Sequence, residues 1–402
     1  MNRRSFIKRS LATAATLGLA PSLFSRSALA AGGNDKILVV LHLFGGNDAV
    51  NTFIPTSSEA YSTYSSYRPD IGIAAADIID LGAPNMSVGL HPSLRPLVDN
   101  FWNNGELAIV SQVGYPNHNR SHFVSTAIWN TGDPDHPNKE GWLGPYIDGQ
   151  NDPFCATSLG GELPKALRGL HTSGLGIDSL GSFGLSQSEW EGHLRNELQR
   201  QLRAARNGTA EEVRRAMEHM LRSVEKIRQL GQVTLAGEFH NGAYSRRFAD
   251  VSRMIEGNFP SQVYYLRIGG YDTHSDQGGK EGDQANNFAA LSEGLSDFRS
   301  EMTAKGKWGN VMVLIFSEFG RRAKQNASKG TDHGKGGVLF VAGGSVNGGV
   351  YGSEPRLAED QLVEGDLADD IDFRRVYSDA AAFIGANAAE LVGPGFTPLG
   401  VV

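Results

Sequence analysis

The sequence predicts an α/β fold built on a doubly wound, mainly parallel β-sheet. Two observations support this fold class. Short and almost continuous apolar runs recur along the chain, which is typical of strands buried on both faces. Amphipathic helical patterns lie between these runs. Apolar strands that alternate with helices indicate a parallel sheet covered by helices.

Five buried strands and three helices follow one another in chain order. The first strand ends in a glycine-rich turn at residues 44–48, which is typical of a tight change of direction. The predicted strands are Lys36–Leu43, Leu107–Val113, Val263–Ile268, Val311–Phe316 and Val338–Ala342. The predicted helices are Pro92–Asn103, Val124–Trp129 and Gln284–Ala304, the last with apolar residues at three- and four-residue spacings.

A segment of different composition spans residues 187–232. It is rich in Arg, Glu, Leu and Ala, has helical periodicity, and breaks near Asn207. The pattern fits an inserted helical hairpin that covers one side of the core. It fits equally well two ordinary helices that cover the sheet, and the sequence leaves both interpretations open.

The N-terminus has the layout of a bacterial twin-arginine export signal. Arg3 and Arg4 precede an apolar run at Leu11–Leu23, and residues 28–30 form a small-x-small cleavage site. We therefore expect a signal peptide over residues 1–30, export by the twin-arginine translocation machinery, and a periplasmic or secreted mature protein. The run is too short to indicate a membrane span, and no later segment approaches the required length.

Charge and cysteine content exclude some functions. The formal net charge is −7, which argues against a nucleic-acid partner because binding phosphate backbones requires a basic face. Cys155 is the one cysteine, so no internal disulfide can form. We expect it to be a small buried apolar residue.

Acidic residues and histidines cluster after the predicted strands. They are Asp48 after the first strand, Asp272 and His274 after the third, Glu318 after the fourth, and Asp332 and His333 before the fifth. Ligands bind beyond the carboxyl ends of parallel strands, so these side chains are expected to meet. Carboxylates and imidazoles suit a divalent metal such as Zn or Mn, and Ca is a further option. Each residue alone also fits a helix cap or turn former.

A second polar cluster follows the second strand. Ser121 falls near the start of the helix Val124–Trp129, where backbone N–H groups favour an anion. Ser121 fits a nucleophile with His122 or His118 as its acid–base partner, and it also fits a simple helix cap. Arg120 and Arg321 are candidates to bind an oxyanion.

Motifs spread over the chain resemble the DUF1501 family. They are Leu90-His91-Pro92-Ser93-Leu94, Val113-Gly114-Tyr115-Pro116, Ser121-His122-Phe123, Gly270-Tyr271-Asp272-Thr273-His274, Ser317-Glu318-Phe319-Gly320-Arg321 and Asp332-His333-Gly334. Members are bacterial proteins of undetermined activity, many of them exported by the twin-arginine route. The family is grouped with the alkaline phosphatase and sulfatase superfamily, so the resemblance implies one alkaline phosphatase-like domain over residues 31–402.

The resemblance also implies roles for single residues. Asp48 matches the ligand that follows the first strand of the superfamily, and Ser121 lies near the position of its nucleophile. His333 matches a late ligand histidine. Glu318 matches the acidic member of a late Asp-His pair, whereas Phe319 stands in place of the histidine.

Three functions remain open from the sequence. The first is an exported metal-dependent hydrolase of phosphate or sulfate esters, acting on an anionic small molecule or polymer. The second is a non-catalytic alkaline phosphatase-like binding or assembly protein of the periplasm, which Phe319 favours. The third is an oxidoreductase, for which the sequence contains no haem, iron–sulfur or dinucleotide fingerprint.

Overall fold

The computed structural model describes residues 35–181, 196 and 226–402. The expected signal peptide at residues 1–30 lies outside the described residues. Most of the segment 187–232 also lies outside them, and the part that is described is helical at residues 226–230. In the described part of the chain, no helix is both long and apolar enough to cross a membrane.

The described strands form one large sheet and one small sheet. In chain order they are β1 (Ile37–Leu43), β2 (Phe53–Pro55), β3 (Ile79–Asp80), β4 (Val88–Leu90), β5 (Leu107–Gly114), β6 (Ala156–Leu159), β7 (Leu175–Ile177), β8 (Val263–Ile268), β9 (Val311–Phe316), β10 (Gly337–Ala342), β11 (Gly349–Tyr351) and β12 (Ile371–Asp372). The small antiparallel sheet has the order β2-β4-β3.

The large sheet is mainly parallel. Its order is β11-β5-β10-β9-β1-β8-β6-β7, with β12 paired to β5. β1 lies at the centre and runs parallel to both β8 and β9. β10 runs antiparallel to its neighbours β9 and β5. The carboxyl ends of β1, β8 and β9 therefore lie at one edge of the sheet, which is where the polar residues follow.

Helices cover both faces of the large sheet. They are α1 (Ala49–Thr52), α2 (Ser58–Tyr67), α3 (Arg95–Asn100), α4 (His122–Thr131), α5 (Gly144–Gln150), α6 (Ala243–Glu256), α7 (Asp283–Ala304), α8 (Arg374–Phe383) and α9 (Ala388–Val392). Alternate residues of β1 enter two separate cores: Val39 and Leu41 pack with α6 and α7, and Leu38 and Val40 pack with α4 and α8. Burial on both faces explains why β1 lacks polar alternation.

Aromatic stacking holds α4 against the sheet. Trp129 is buried and stacks on Phe316 and Phe373, with ring centroids 4.7 and 4.3 Å apart. Truncating a buried aromatic of this size costs about 3–5 kcal/mol of stability. The N-terminus of α4, where His122 begins the helix, is consequently held in a defined position relative to β9.

The predicted α/β fold with a mainly parallel, doubly wound sheet is confirmed, and all five predicted strands are present within one residue. One predicted helix is shorter than expected. Pro92–Asn103 contains α3 between two 3₁₀ turns, because Pro92 and Pro96 both begin new helical turns and the backbone leaves the helical region at Phe101. The short strands β6, β7, β11 and β12 lack the long apolar runs that would predict them. Cys155 is buried, as expected.

Candidate metal centre

Four side chains from separate parts of the chain converge at the carboxyl edge of the large sheet. Asp272 and His274 follow β8, His122 begins α4, and His333 precedes β10. The Asp272 carboxylate lies 3.1 Å from His274 Nε2, 3.2 Å from His333 Nε2 and 3.4 Å from His122 Nε2. We call these four residues the His₃Asp cluster. Ligand atoms of His122, Asp272 and His333 all lie within 4.8 Å of one another, a spacing that one metal ion could bridge.

The outer nitrogen of each imidazole is hydrogen-bonded to an oxygen atom. The three Nδ1 contacts are His122 to Glu318 at 2.7 Å, His274 to Asp332 at 3.1 Å, and His333 to the main-chain oxygen of Arg120 at 2.8 Å. A carboxylate or carbonyl oxygen can only accept, so each Nδ1 carries the hydrogen. Their Nε2 atoms therefore point into the cluster, and each Nε2 is unprotonated when its imidazole is neutral.

These inward nitrogens lack donors. His274 Nε2 and His333 Nε2 lie 2.9 Å apart, and His122 Nε2 is buried without a hydrogen-bond partner in the described part of the chain. Facing lone pairs at this distance repel unless a proton or a cation lies between them. Outer carboxylates that orient ligating histidines are a common feature of metal sites. His122, Asp272 and His333 thus fit a divalent ion with two imidazole ligands and one carboxylate, and His274 lies beside them.

Arg321 sets the charge of the carboxylate in the cluster. Its guanidinium is fully buried and donates to Asp272 at 2.6 Å. Partial burial works against ionisation of Asp272, but the hydrogen bond from the Arg321 guanidinium keeps its pKa below the usual value. Asp272 is therefore a carboxylate at neutral pH, as a metal ligand must be.

The histidines of the cluster differ in their surroundings. The hydrogen bond to Glu318 raises the pKa of His122. Burial lowers the pKa of His333, and Arg321 and His122 add to that effect. A bound cation would favour the neutral form of both residues.

Glu318 lies directly behind His122. Its carboxylate is fully buried and accepts hydrogen bonds from His122, from His42 Nε2 at 3.0 Å and from the Gly45 N–H at 2.9 Å. Burial opposes ionisation, yet the donors from His122 and His42 hold the pKa of Glu318 well below its usual range. Both oxygens face donors, so Glu318 orients His122 and is not placed as a direct ligand.

His42 is a site residue that the sequence reasoning missed. It lies at the end of β1, is buried, and stacks on Phe316 at 4.7 Å. A signal was present, because His42 is the one polar residue within the apolar run of the first strand. A histidine in such a run indicates a buried partner, which here is Glu318.

Asp48 lies in a different environment. It caps α1, and its carboxylate accepts hydrogen bonds from the buried Arg68 at 2.5 and 3.0 Å and from Gln277 at 2.7 Å. These donors occupy both oxygens, so the structure gives Asp48 no free lone pair for a metal. Of the predicted ligands, Asp272, His274 and His333 come together, whereas Asp332 orients His274 from outside.

The four predicted catalytic residues, Ser121, His122, Arg120 and Arg321, lie in different surroundings. Ser121 is the N-cap of α4, as the sequence indicated, but its hydroxyl does not bond the helix backbone. His122 belongs to the His₃Asp cluster rather than standing apart as an acid–base group. The Arg120 side chain is bonded to Asp366 at 2.5 Å and to Glu364 at 3.2 Å.

Arg321 is placed differently from the expectation that it binds an oxyanion. Besides Asp272, it donates to the main-chain oxygens of Gly46 at 2.6 Å, Thr331 at 2.7 Å, Tyr271 at 3.1 Å and Gly45. Because it is fully buried and all three of its nitrogens are engaged, it cannot reach a substrate. Its geometry supports the cluster instead.

Comparison with protein-family models identifies one family for this chain. Residues 35–372 match the family model described as "Protein of unknown function (DUF1501)". The chain belongs to this family. No curated protein sequence matches this DUF1501 chain.

Solved structures that resemble this DUF1501 chain at low sequence identity include a sulfatase and a protein described as belonging to the alkaline phosphatase superfamily. Ps i-CgsB in complex with k-i-k-neocarrahexaose is 12% identical, with a TM-score of 0.42, and the match covers 91% of this chain and 75% of that one. The C-terminal periplasmic domain of EcEptC from Escherichia coli in complex with Zn is 10% identical, with a TM-score of 0.38, covering 78% and 74%. The PsFucS1 sulfatase from Pseudoalteromonas sp. is 9% identical, with a TM-score of 0.37, covering 94% and 72%.

Proposed function

We propose that this DUF1501 protein is an exported metal-dependent hydrolase of phosphate or sulfate esters. The observation that carries the proposal is the His₃Asp cluster. Ligand atoms of His122, Asp272 and His333 lie within 4.8 Å of one another, His274 lies beside them, and each of the four groups is held from outside by its own partner. The buried His122 Nε2 has no hydrogen-bond partner in the described part of the chain, which is unfavourable unless a ligand uses it.

One divalent ion fits better than two. Asp272 already faces the Arg321 guanidinium, and Glu318 accepts hydrogen bonds on both oxygens. When bound, a divalent ion would polarise an ester oxygen and offset negative charge that develops on the transferred group. Zn and Mn suit this mixture of imidazole and carboxylate ligands.

The protein side chains have separate tasks in this proposal. His122, Asp272 and His333 hold the ion. Arg321 keeps Asp272 ionised and oriented. Ser121 gives its hydroxyl proton to water, and its Oγ forms a bond to the phosphorus or sulfur while the ester oxygen departs with its bonding electrons and takes a proton from water. Water then cleaves the seryl ester and restores Ser121. The positive end of α4 favours the anionic group beside Ser121.

A non-catalytic binding or assembly protein is the second candidate. The arginines near the site favour it, because Arg120 is bonded to Asp366 and Glu364 and Arg321 is fully buried. Neither guanidinium is free to clamp a substrate anion. Such a protein would still bind the metal, so metal content alone does not separate the two functions.

The decisive experiment combines metal analysis with turnover. Protein isolated from the periplasm is expected to contain about one divalent ion per chain and to hydrolyse members of an aryl phosphate and aryl sulfate panel. Ser121→Ala is expected to lower kcat by about three orders of magnitude or more while metal content stays unchanged.

Ser57→Ala is the matched control, because Ser57 is also an N-cap whose side chain makes no capping hydrogen bond. It should retain full activity. A chain with stoichiometric metal but no turnover of any ester would support the non-catalytic candidate. Absence of metal from the periplasmic protein would reject both the site and the hydrolase.

Export is tested separately. Replacing Arg3 and Arg4 together by lysine is expected to retain the protein in the cytoplasm, whereas Arg9→Lys, outside the arginine pair, should leave export unchanged. Appearance of the double variant in the periplasm would contradict a twin-arginine signal.

A further inference from the structure

A cleft of about 860 Å³ lies beside the metal centre. It is lined at one end by His42 and Phe44, and by the first turns of α4 at Phe123 and Thr126. Phe44 lies between the cleft and the metal centre, because it lines the cleft and its ring lies 5.4 Å from the His122 ring. A substrate whose reacting group sits at the His₃Asp cluster would therefore extend into this cleft.

The cleft is cationic although the chain is acidic. Its lining contains the four basic side chains of Lys139, Lys165, Arg168 and Arg267 and only two carboxylates, Glu140 and Glu162. This contrasts with the formal net charge of −7 for the whole chain. A basic cleft in an acidic protein attracts and orients anions.

Two of these cations are not neutralised by neighbours. Lys139 pairs with Asp133 at 3.1 Å and Arg267 pairs with Glu162 at 3.2 Å. By contrast, Arg168 and Lys165 bond to main-chain oxygens, and no carboxylate of the described residues lies within 4 Å of either. Their positive charges are available to an anionic ligand.

The mouth of the cleft carries exposed apolar side chains. Phe123 follows the ligand His122 in α4 and is 88% exposed, and Leu170 on the opposite side is 73% exposed. A flat ring that covers so exposed a phenylalanine at the rim of the cleft removes apolar surface from water, which is favourable. Of the twenty other lining residues, twelve carry polar or charged side chains, which suits a hydroxylated and charged ligand better than an acyl chain.

We propose that this cleft is a binding subsite for an acidic oligosaccharide, one bearing sulfate or phosphate groups. A sugar ring would cover Phe123, and neighbouring anionic groups would contact Arg168 and Lys165. The inference rests on the proposed hydrolase, since it places the remainder of that enzyme's substrate. The substrate class of the proposed hydrolase is then an anionic glycan.

The experiment measures binding without turnover. A fluorescently labelled, heparin-derived hexasaccharide is titrated into the metal-loaded full chain, with maltohexaose and phosphatidylglycerol vesicles as alternative ligands. Saturable binding of the sulfated hexasaccharide is expected, weakening as salt rises, with maltohexaose at least about tenfold weaker. Phe123→Ala and Arg168→Ala should each weaken binding about 5- to 10-fold at unchanged metal content.

Two variants outside the cleft serve as controls. Val124→Ala lies on the same helical turn as Phe123, and Arg95→Ala removes an exposed cation from α3; both should bind as the parent does. Asp272→Asn, which disables the metal centre, should still bind the hexasaccharide, so failure of the hydrolase leaves this test intact. Four results would overturn the proposal: maltohexaose binds as tightly as the sulfated hexasaccharide, only vesicles bind, no binding is saturable, or Phe123→Ala and Arg168→Ala bind the hexasaccharide as tightly as the parent protein does.

Discussion

Asp48 and Asp272 follow neighbouring parallel strands at the same edge of the sheet, yet their surroundings differ fundamentally. Every oxygen of Asp48 is met by a donor from Arg68, Gln277 or the backbone of α1. Asp272 faces one guanidinium and the Nε2 atoms of three imidazoles whose Nδ1 atoms are bonded elsewhere. The Asp48 carboxylate is fully matched by donors, whereas the His₃Asp cluster has more acceptors than donors.

The difference shows that residue type and strand position do not define a site by themselves. Both carboxylates are aspartates at the carboxyl ends of buried strands, and both have a buried arginine as partner. What distinguishes them is the balance between donors and lone pairs. The following variants test that distinction, beginning with the largest expected effect.

Breaking the Asp48 pair should damage stability and leave metal binding intact. Asp48→Ala leaves the fully buried Arg68 charge without its carboxylate, so the free energy of unfolding should fall by about 3–5 kcal/mol. Urea unfolding monitored by circular dichroism measures the loss. Asp99→Ala, which removes an exposed partner of Arg95 at 3.9 Å, should cost less than about 1 kcal/mol. Lost metal content in folded Asp48→Ala would show that the two clusters are not independent.

Removing a histidine of the His₃Asp cluster should weaken metal binding and leave stability intact. His333→Ala is expected to weaken divalent-metal affinity by more than about 100-fold, the upper range for outer residues of metal sites. Competition with a chelator measures it. His136→Ala is the control, because that side chain is 76% exposed and pairs with Asp133. Unchanged affinity in His333→Ala would remove the histidine from the ligand set.

Replacing a residue that orients a cluster histidine from outside should lower metal affinity by an intermediate amount. Asp332→Asn removes the charge that His274 Nδ1 faces at 3.1 Å, so we expect about a tenfold loss of metal affinity. The matched variant Asp135→Asn changes an exposed aspartate and should leave affinity unchanged. An equal effect of the two substitutions would argue that only the bulk charge of the protein matters.

The smallest effect concerns His118, whose Nε2 is also buried without a partner in the described part of the chain. Burial and then the charge of Arg120 lower the pKa of His118 to about 4 from a usual 6.5. Between these values the unfolded state binds a proton that the folded state does not, so the free energy of unfolding falls as pH drops from 6.5 towards 4.

His118→Gln should flatten that pH dependence, as measured by urea unfolding across the interval. The exposed His171→Gln should leave the slope unchanged. A steeper slope in His118→Gln would contradict the direction of the shift. His118 has no carboxylate partner in this geometry, so an unpaired nitrogen alone does not make a metal site.

The strands, the long helix and the helix that begins beside Ser121 could be predicted because their signals are local. Buried strands show as apolar runs, and α7 shows as a repeat of apolar positions. The residues after β8 and before β10 could likewise be singled out, because their positions relative to the strands indicated a shared edge of the sheet.

The roles of the single residues at that edge of the sheet could not be predicted, for a physical reason. His122 and His333 are 211 positions apart by their numbering, and only folding brings both Nε2 atoms to Asp272. Whether Asp48 or Glu318 binds a metal depends on which donors fold against them, namely Arg68 for one and His42 for the other. The sequence by itself determined the α/β framework and the set of polar residues at its edge. The tertiary structure alone decided which lone pairs remain unpaired, because hydrogen-bond partners distant in the chain are chosen by packing.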